Sequence, residues 1–218
     1  MSPWIKAVVL PVFAAALMAS FALRAAADEA ADPHAGHQPS PAATVVRSTA
    51  NYSVPPIKLV RDDGKSVSLA DELNDGRPVV LNFIYTTCSG ICPLASHIFS
   101  QLQYKLGADR DGVHLVSISI DPEEDTPARL RDYASRYQAG PSWQHYTGTM
   151  AASTAAQRVF DVYRGDKMGH TPVTLIRAAP GAPWVRFDGF ATADMLLQEL
   201  HGPGHVTAAV SPLSPAGR

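Results

Sequence analysis

The feature that most constrains the fold is a short apolar segment that leads directly into a loop holding the chain's two cysteines. Residues Val79–Tyr85 are rich in branched and aromatic side chains and are bounded by turn-forming residues, so the segment predicts a buried strand. Cys88 and Cys92 follow, and Pro93 introduces a helical pattern, because proline is favoured in the first turn of a helix. The order strand, cysteine loop and helix indicates a redox site or a site for a soft metal ion.

The spacing of the cysteines and the start of the helix both affect the chemistry of the thiols. Cys92 lies at the N-terminal end of the predicted helix, where unpartnered N–H groups and the helix dipole favour a thiolate over a thiol. On a regular helix, residues four apart have Cβ atoms roughly 5–6 Å apart, whereas a relaxed disulfide needs about 3.8 Å. We therefore expect Cys88 to lie in the loop, where its conformation controls both metal binding and disulfide formation.

The first 27 residues have the pattern of an export signal. Lys6 precedes the uncharged apolar stretch Ala7–Leu23, and Ala25–Ala27 match a small-residue cleavage site, so we expect a signal peptide at residues 1–27. The alternative is an uncleaved N-terminal membrane anchor, because the apolar stretch approaches the roughly 17–25 residues that span a bilayer. In either case we expect an exported domain in a bacterial periplasm, free or anchored to the inner membrane.

Two further segments are expected to lie outside the folded domain, which we place at residues 51–201. Residues 28–50 and 202–218 are rich in alanine, proline and small residues without a hydrophobic period, which predicts a flexible leader and a disordered tail. The leader holds His34 and His37, which we interpret as solvated histidines, with loose binding of copper or zinc as the alternative. The formal net charge of −2 provides no basic field and excludes nucleic acid as a partner.

Strand and helix patterns alternate through the folded domain. The predicted elements are the strands Ile57–Val60, Ser66–Leu69, Val79–Tyr85, Val113–Ile120, Trp143–Thr147, Val173–Arg177 and Trp184–Gly189, and the helices Ala70–Leu73, Pro93–Leu106, Pro127–Tyr137, Ala151–Phe160 and Thr192–His201. Four aliphatic residues at helical spacing are expected to form the buried face of the cysteine helix: Leu94, Ile98, Leu102 and Leu106. The order of elements predicts an α/β, thioredoxin-like fold, in which helices flank a central mixed sheet, with an N-terminal β-hairpin addition.

Three motifs in order lie within residues 54–200. They are Thr87-Cys88-x-x-x-Cys92-Pro93 after the apolar strand, Ser117-Ile118-Ser119-Ile120-Asp121-Pro122-x-x-Asp125-Thr126-Pro127, and a late histidine, His170. Together these residues resemble the SCO/SenC family of copper chaperones for cytochrome oxidase assembly. The resemblance implies a thioredoxin fold that brings His170 beside the cysteines, and copper bound by Cys88, Cys92 and His170.

The donor atoms of these residues agree with copper chemistry. Thiolate sulfur suits Cu(I), and an added imidazole lets the same site hold Cu(II) as well. Three protein ligands would also leave one side of the ion open, and we hypothesise that copper passes to another protein through that side.

Three functions are considered at this point. The first is a metallochaperone that delivers copper to, or prepares the copper site of, a respiratory cytochrome oxidase. Its partner would be the copper-site subunit of the oxidase or another copper chaperone. It would contact the membrane only through the N-terminal segment, if that segment is uncleaved. The second is an enzyme, a thiol–disulfide oxidoreductase in which Cys88 and Cys92 form the redox-active pair and Cys88 is the nucleophile. A peroxide-reducing enzyme is the third, disfavoured because the Pro-x-x-x-Thr-x-x-Cys context is missing before Cys88.

Asp121 of the second motif and Met168 near His170 each have two interpretations. We expect Asp121 to cap the turn before Pro122, with the orientation of a site ligand as the alternative. Met168 is expected to be an ordinary loop residue, with a soft accessory ligand as the alternative. His97 is expected to be a solvent-exposed or satisfied side chain, and His114 and His145 are expected to be structural.

The residues around His170 depart from the family pattern. Gly169 stands where members of the family usually have an aspartate, and Pro172 follows two residues after the histidine. A proline at the head of this strand is similar to the cis-proline that thioredoxin-like oxidoreductases place against their active disulfide. If Pro172 is cis, its surroundings could receive a substrate polypeptide for disulfide exchange.

Overall fold

An eight-stranded mixed sheet organises the part of the chain that the computed structural model describes, residues 44–202. The strands are β1 (Val46–Ala50), β2 (Lys58–Arg61), β3 (Ser66–Ser68), β4 (Val79–Ile84), β5 (His114–Ser119), β6 (Trp143–Thr147), β7 (Val173–Arg177) and β8 (Trp184–Asp188). The helices are α1 (Leu69–Leu73), α2 (Ile91–Leu106), α3 (Pro127–Arg136), α4 (Met150–Val159) and α5 (Ala193–His201), with 3-10 turns at Gly107–Gly112 and Lys167–Gly169. The predicted signal peptide or anchor, both leader histidines and the tail beyond residue 202 lie outside the described residues.

The two motif-bearing strands lie at the centre of the sheet, whose order is β1-β8-β7-β4-β5-β6-β2-β3. β4 and β5 run parallel, with Val79 opposite His114 and Ile84 opposite Ser119, so the loops that follow both strands emerge at the same edge. Every residue of the two strands is buried, as expected for inner strands covered on both faces. β7 runs antiparallel to β4, which brings its N-terminal end, just after His170, to that same edge.

Two hydrophobic clusters cover the two faces of this sheet. Val79, Leu81 and Phe83 belong to one cluster and Val80 to the other, and successive side chains of a strand point to opposite faces. The first cluster receives side chains from α1, α3 and α4, and the second receives them from α2 and α5. Cys92 of α2 is buried in the first cluster and Ile91 packs against it, so the first residues of this helix contact that cluster.

The predicted mixed sheet with flanking helices and an N-terminal hairpin is observed, with most helix and strand bounds within one or two residues. β2 and β3 form the hairpin, and β2 pairs antiparallel with β6. The start of α3 follows the predicted signal, since the Thr126 side chain accepts a hydrogen bond from the backbone N–H of Arg129 and Pro127 occupies the first turn. Within residues 44–202, no helix has both the length and the apolar character that crossing a membrane requires.

The N-terminal boundary of the fold differs from the prediction. We expected a flexible leader through residue 50, whereas Val46–Ala50 forms β1 and pairs antiparallel with β8. The guanidinium of Arg47 also donates two hydrogen bonds of 2.9 Å to the carboxylate of Glu199 in α5. Because this strand is largely exposed, its sequence carries no hydrophobic alternation by which it could be recognised.

The phase of the cysteine helix also differs from the prediction. α2 begins at Ile91 rather than at Pro93. Leu94, expected to be buried, is 46% exposed, and Ile98 is only partly buried. The buried residues of the helix are Cys92, Ser96, Phe99, Leu102 and Leu106. The prediction is confirmed for Leu102 and Leu106 and wrong for the first half of the helix, where a cysteine, a serine and a phenylalanine form the buried face.

Candidate functional site

The two cysteines lie side by side where the loop after β4 enters α2. The backbone N–H of Cys88 closes a turn onto the carbonyl of Tyr85, and the Cys88 side chain is partly buried. Cys92 is the second residue of α2 and is 1% exposed. Its backbone N–H donates a hydrogen bond to the Sγ of Cys88 at 3.4 Å. Both thiols are free, and the Cys88 sulfur acts as the cap for an N–H group that would otherwise be unpartnered.

This arrangement separates the acidities of the two thiols. Burial acts to raise the pKa of Cys88, but hydrogen bonds from the Cys92 N–H, the Cys92 thiol and the Gly90 N–H outweigh it, and the pKa is lowered. Burial raises the pKa of Cys92 strongly, and the neighbouring Cys88 raises it further. The helix N-terminus therefore favours a thiolate at Cys88, and the sequence-based expectation for Cys92 is corrected, since its own side chain points into the core.

His170 lines the same cavity as Cys92. It follows the 3-10 turn Lys167–Gly169, and its Nε2 lies 3.0 Å from the carbonyl oxygen of Phe83 in β4. A carbonyl only accepts hydrogen bonds, so Nε2 carries the proton and Nδ1 keeps its lone pair. Burial lowers the pKa of His170, as does the charge of Arg164, against the opposing effect of the Phe83 carbonyl. The imidazole is thus kept in the neutral form in which histidine binds metal ions.

Cys92 and His170 line one small cavity between α2 and the start of β7. Its other walls are mostly apolar and include Ile91, Pro172 and Phe190. Cys88 is not part of the cavity wall, but its Sγ accepts the backbone N–H of Cys92, which is. Within residues 44–202, no three side chains of the His, Cys, Asp and Glu type are already gathered as a metal site. Because Nε2 is hydrogen-bonded to the Phe83 carbonyl, a metal ion would bind His170 through Nδ1, or through Nε2 once that hydrogen bond is broken.

Asp125 has a structural role that the sequence analysis did not assign. Its side chain is fully buried and accepts hydrogen bonds from the Thr86 N–H at 3.2 Å, the Thr86 hydroxyl at 2.5 Å and the Ser119 hydroxyl at 2.6 Å. Thr86 begins the cysteine loop, so this carboxylate fixes the loop onto the end of β5. The sequence held one signal for this role. Asp125 lies four residues after Asp121, between a buried strand and a capped helix.

Met168 lies within the turn that precedes His170, and Asp121 pairs with Lys167 of that turn. The backbone carbonyl of Asp121 closes the predicted turn by accepting the N–H groups of Glu124 and Asp125. Its buried carboxylate is paired with the ammonium of Lys167 at 2.6 Å, a contact that the sequence did not reveal. Met168 is 78% exposed, in keeping with a loop residue.

The other residues singled out in the sequence are three histidines and Pro172. His97 is exposed on α2 with its ring against Gln101, whereas His114 and His145 are buried in the sheet. Pro172 lines the cavity, but the described residues contain no cis peptide bond, so its similarity to the cis-proline of oxidoreductases does not extend to its geometry.

The comparisons with known proteins agree with the three motifs. The SCO1/SenC family model matches residues 46–201. The chain is 36% identical over 104 residues to the SCO1 protein homolog of Bacillus subtilis, an alignment that covers 47% of this chain and 53% of the homolog. The chain thus spans about half the length of this curated relative.

Solved structures give a fuller alignment. BsSco, a member of the Sco family of cytochrome c oxidase assembly proteins in which a disulfide switch was identified, is 26% identical with a TM-score of 0.59, over 72% of this chain and 95% of BsSco. Bradyrhizobium japonicum ScoI, solved with copper bound, is 27% identical with a TM-score of 0.57, over 68% of this chain and 98% of ScoI. These alignments confirm the predicted fold class. Since the family model spans nearly all the described residues, from β1 through the cysteine loop and His170 to α5, the chain belongs to the SCO1/SenC family.

Proposed function

We propose that this chain is an exported copper-binding protein that delivers copper to, or prepares the copper site of, a respiratory cytochrome oxidase. The observation that carries the proposal is the arrangement of three donors that copper accepts. A neutral His170 and Cys92 line one cavity, and Cys88, whose Sγ accepts the Cys92 N–H, has a lowered pKa. Membership of a family whose solved members include a copper-bound protein supports the choice of metal. The assembly role named for BsSco supports the choice of recipient.

Copper is here the cargo, and we assign its ligands to Cys88, Cys92 and His170. The donor set fits the ion, because thiolates prefer Cu(I) and the imidazole allows Cu(II). Cys88 is the thiol closer to its metal-binding form. Cys92, whose pKa is raised by burial, would lose its proton as the ion binds, so that copper uptake releases protons and strengthens as the pH rises. The recipient is the copper-site subunit of an oxidase or another copper chaperone.

The place of action that we propose is the bacterial periplasm. Its support is the charge-free apolar stretch of residues 7–23 with the small-residue segment after it, which is typical of export signals. An uncleaved segment would hold the domain at the inner membrane.

A second candidate function is a thiol–disulfide oxidoreductase, favoured by the unequal acidities of the two thiols. The Cys88 thiolate would attack a disulfide of a partner protein, forming a mixed disulfide and releasing one partner thiolate. Cys92, after losing its proton, would attack the Cys88 sulfur; the partner leaves with both cysteines reduced, and Cys88 and Cys92 are oxidised to a disulfide. The disulfide switch of BsSco supports this alternative.

One pair of reactions separates the two candidates. The copper-loaded protein is mixed with the copper-free, reduced copper-site domain of an oxidase, and the metal-free reduced protein is mixed with the same domain in its disulfide form. We expect copper to move to the domain in the first mixture. Reduction of the domain in the second mixture, without copper transfer in the first, would favour the oxidoreductase and contradict the delivery role.

A further inference from the structure

We propose that Lys167 is a positioning residue for His170. Its ion pair with Asp121 attaches the turn before His170 to the residues that follow β5. This inference rests on the proposed copper site. It adds a residue that sets where the third ligand lies relative to the cysteines, and it assigns the stability of the copper complex partly to a contact outside the ligand set.

The anchor of the ion pair is held firmly. Asp121 is 4% exposed, its backbone N–H donates to the Ser119 hydroxyl at 3.0 Å, and its carbonyl accepts two N–H groups of the following turn. The Ser119 hydroxyl donates in turn to Asp125, which holds the start of the cysteine loop. The carboxylate that receives the Lys167 ammonium at 2.6 Å therefore belongs to the same hydrogen-bonded framework as the cysteine loop.

The segment on the other side of the pair gains little from burial. Every residue from 163 to 169 is exposed, so few apolar contacts hold this loop in place. Lys167 is the residue of the loop that reaches a buried carboxylate, and the pair spans 46 residues of sequence. A contact of this kind restrains a loop more than exposed ion pairs between neighbours do, because one partner is already immobile.

The turn transmits this restraint to the histidine. The Asp166 carboxylate accepts the N–H of Met168 at 2.8 Å, and the Gly169 N–H bonds the Asp166 carbonyl at 3.0 Å. The backbone N–H of His170 then bonds the carbonyl of Lys167 itself at 3.2 Å. Lys167 and His170 are thus tied by the backbone of one short turn.

Tyr85 provides a surface that both residues share. Its ring is almost fully buried next to the cysteine loop, and the Lys167 ammonium lies 5.8 Å from the ring centroid. The His170 ring meets the same ring edge-on, with 6.4 Å between the centroids. Displacement of Lys167 would therefore loosen the turn. The position of His170 relative to Tyr85 and to the cavity would then be less well fixed.

The test compares two lysines with equal exposure. In the full protein, Lys167→Met removes the charge and keeps an apolar stem, Lys167→Arg restores the charge, and Lys105→Met is the matched control. Lys105 also pairs with an aspartate, Asp194, at 2.8 Å, and both lysine side chains are 39% exposed. The measurements are the rate of Cu(I) release to an excess of bathocuproine disulfonate, the thiolate-to-copper absorption band of the Cu(II) form, and the urea midpoint of unfolding.

We expect Lys167→Met to release copper about tenfold faster and to shift the absorption band, as loss of a residue that orients a metal ligand does. Lys167→Arg should restore both properties, and Lys105→Met should match the wild type. Unchanged release and spectrum in Lys167→Met would overturn the inference alone, as would an equal effect in Lys105→Met. A wild-type protein that binds no copper would overturn the proposed function and the inference with it.

Discussion

The backbone N–H of Cys92 donates a hydrogen bond to the Sγ of Cys88 across 3.4 Å. Cys88, which lies outside the helix, is therefore the thiol whose thiolate the helix N-terminus stabilises. Cys92, which lies inside the helix, is buried in the core. One thiol is accessible and acidic, and the other is enclosed and a poor acid. This division is useful both for a copper site, where one thiolate can capture the ion first, and for disulfide exchange, where one thiol attacks and the other resolves.

The first prediction concerns the order in which the thiols react. Cys88 should be alkylated by iodoacetamide well before Cys92 in the native, reduced protein, because its lowered pKa leaves more thiolate near pH 7 and its side chain is partly exposed. Mass spectrometry of peptides from a pH series measures both rates. In urea the two rates should become similar. Faster modification of Cys92 in the native protein would contradict the assignment.

The second prediction tests the observed phase of α2. Phe99→Ala should lower the free energy of unfolding by about 3–5 kcal/mol, since the ring is fully buried and its removal leaves a cavity. Leu94→Ala, on the exposed side of the same helix, should change it by less than about 0.5 kcal/mol. Urea denaturation of both variants is sufficient. A larger loss from Leu94→Ala would restore the aliphatic face expected from the sequence.

The third prediction concerns the buried carboxylate under the cysteine loop. Asp125→Asn should destabilise the protein by about 1–3 kcal/mol. The new NH2 group cannot accept the hydrogen bonds that Thr86 and Ser119 donate to the carboxylate. The matched variant Asp194→Asn removes the carboxylate of a largely exposed ion pair and should cost at most about 1 kcal/mol. Equal losses in the two variants, by urea denaturation, would show that Asp125 is not an organising residue.

The fourth prediction is a loss of stability in acid. Burial, followed by the charge of Arg77, lowers the pKa of His114 despite the nearby carboxylate of Asp75. The unfolded chain, with a histidine pKa near 6.5, then takes up the proton more readily than the folded state. The contribution of His114 to the free energy of unfolding is therefore fully present above about pH 6.5 and is lost as the pH falls below it.

Urea unfolding at pH 7.5 and pH 5.5 measures this loss. The wild type should lose more stability between the two pH values than His114→Gln, and some loss should remain in the variant because the pKa of His170 is lowered as well. A wild-type stability that rises towards pH 5.5 would contradict the sign of the shift.

The parts of the fold with strong local signals could be predicted from the sequence. The continuous apolar run of β4 and the Thr126 cap of α3 are examples, because a run of buried side chains and a capping hydroxyl act within a few residues. β1 could not, since its exposed side chains carry no period and its pairing with β8 depends on a distant segment.

The candidate site divides in the same way. The cysteine loop and His170 are predicted by motifs that occur in order along the chain. The acidity of each thiol depends on which way its side chain turns, and the ion pair between Lys167 and Asp121 joins residues 46 positions apart. Neither is visible as a local pattern. Both follow only when the loops after β4 and β5 and the turn before β7 meet at one edge of the sheet.

The central claim is that Cys88, Cys92 and His170 bind one copper ion. Anaerobic copper titration of the reduced wild type, beside His170→Ala and the exposed-histidine control His97→Ala, tests it most directly. We expect one tightly bound copper with a thiolate-to-copper absorption band in the wild type and in His97→Ala, and at least tenfold weaker binding with an altered band in His170→Ala. Wild-type affinity and spectrum in His170→Ala would contradict it.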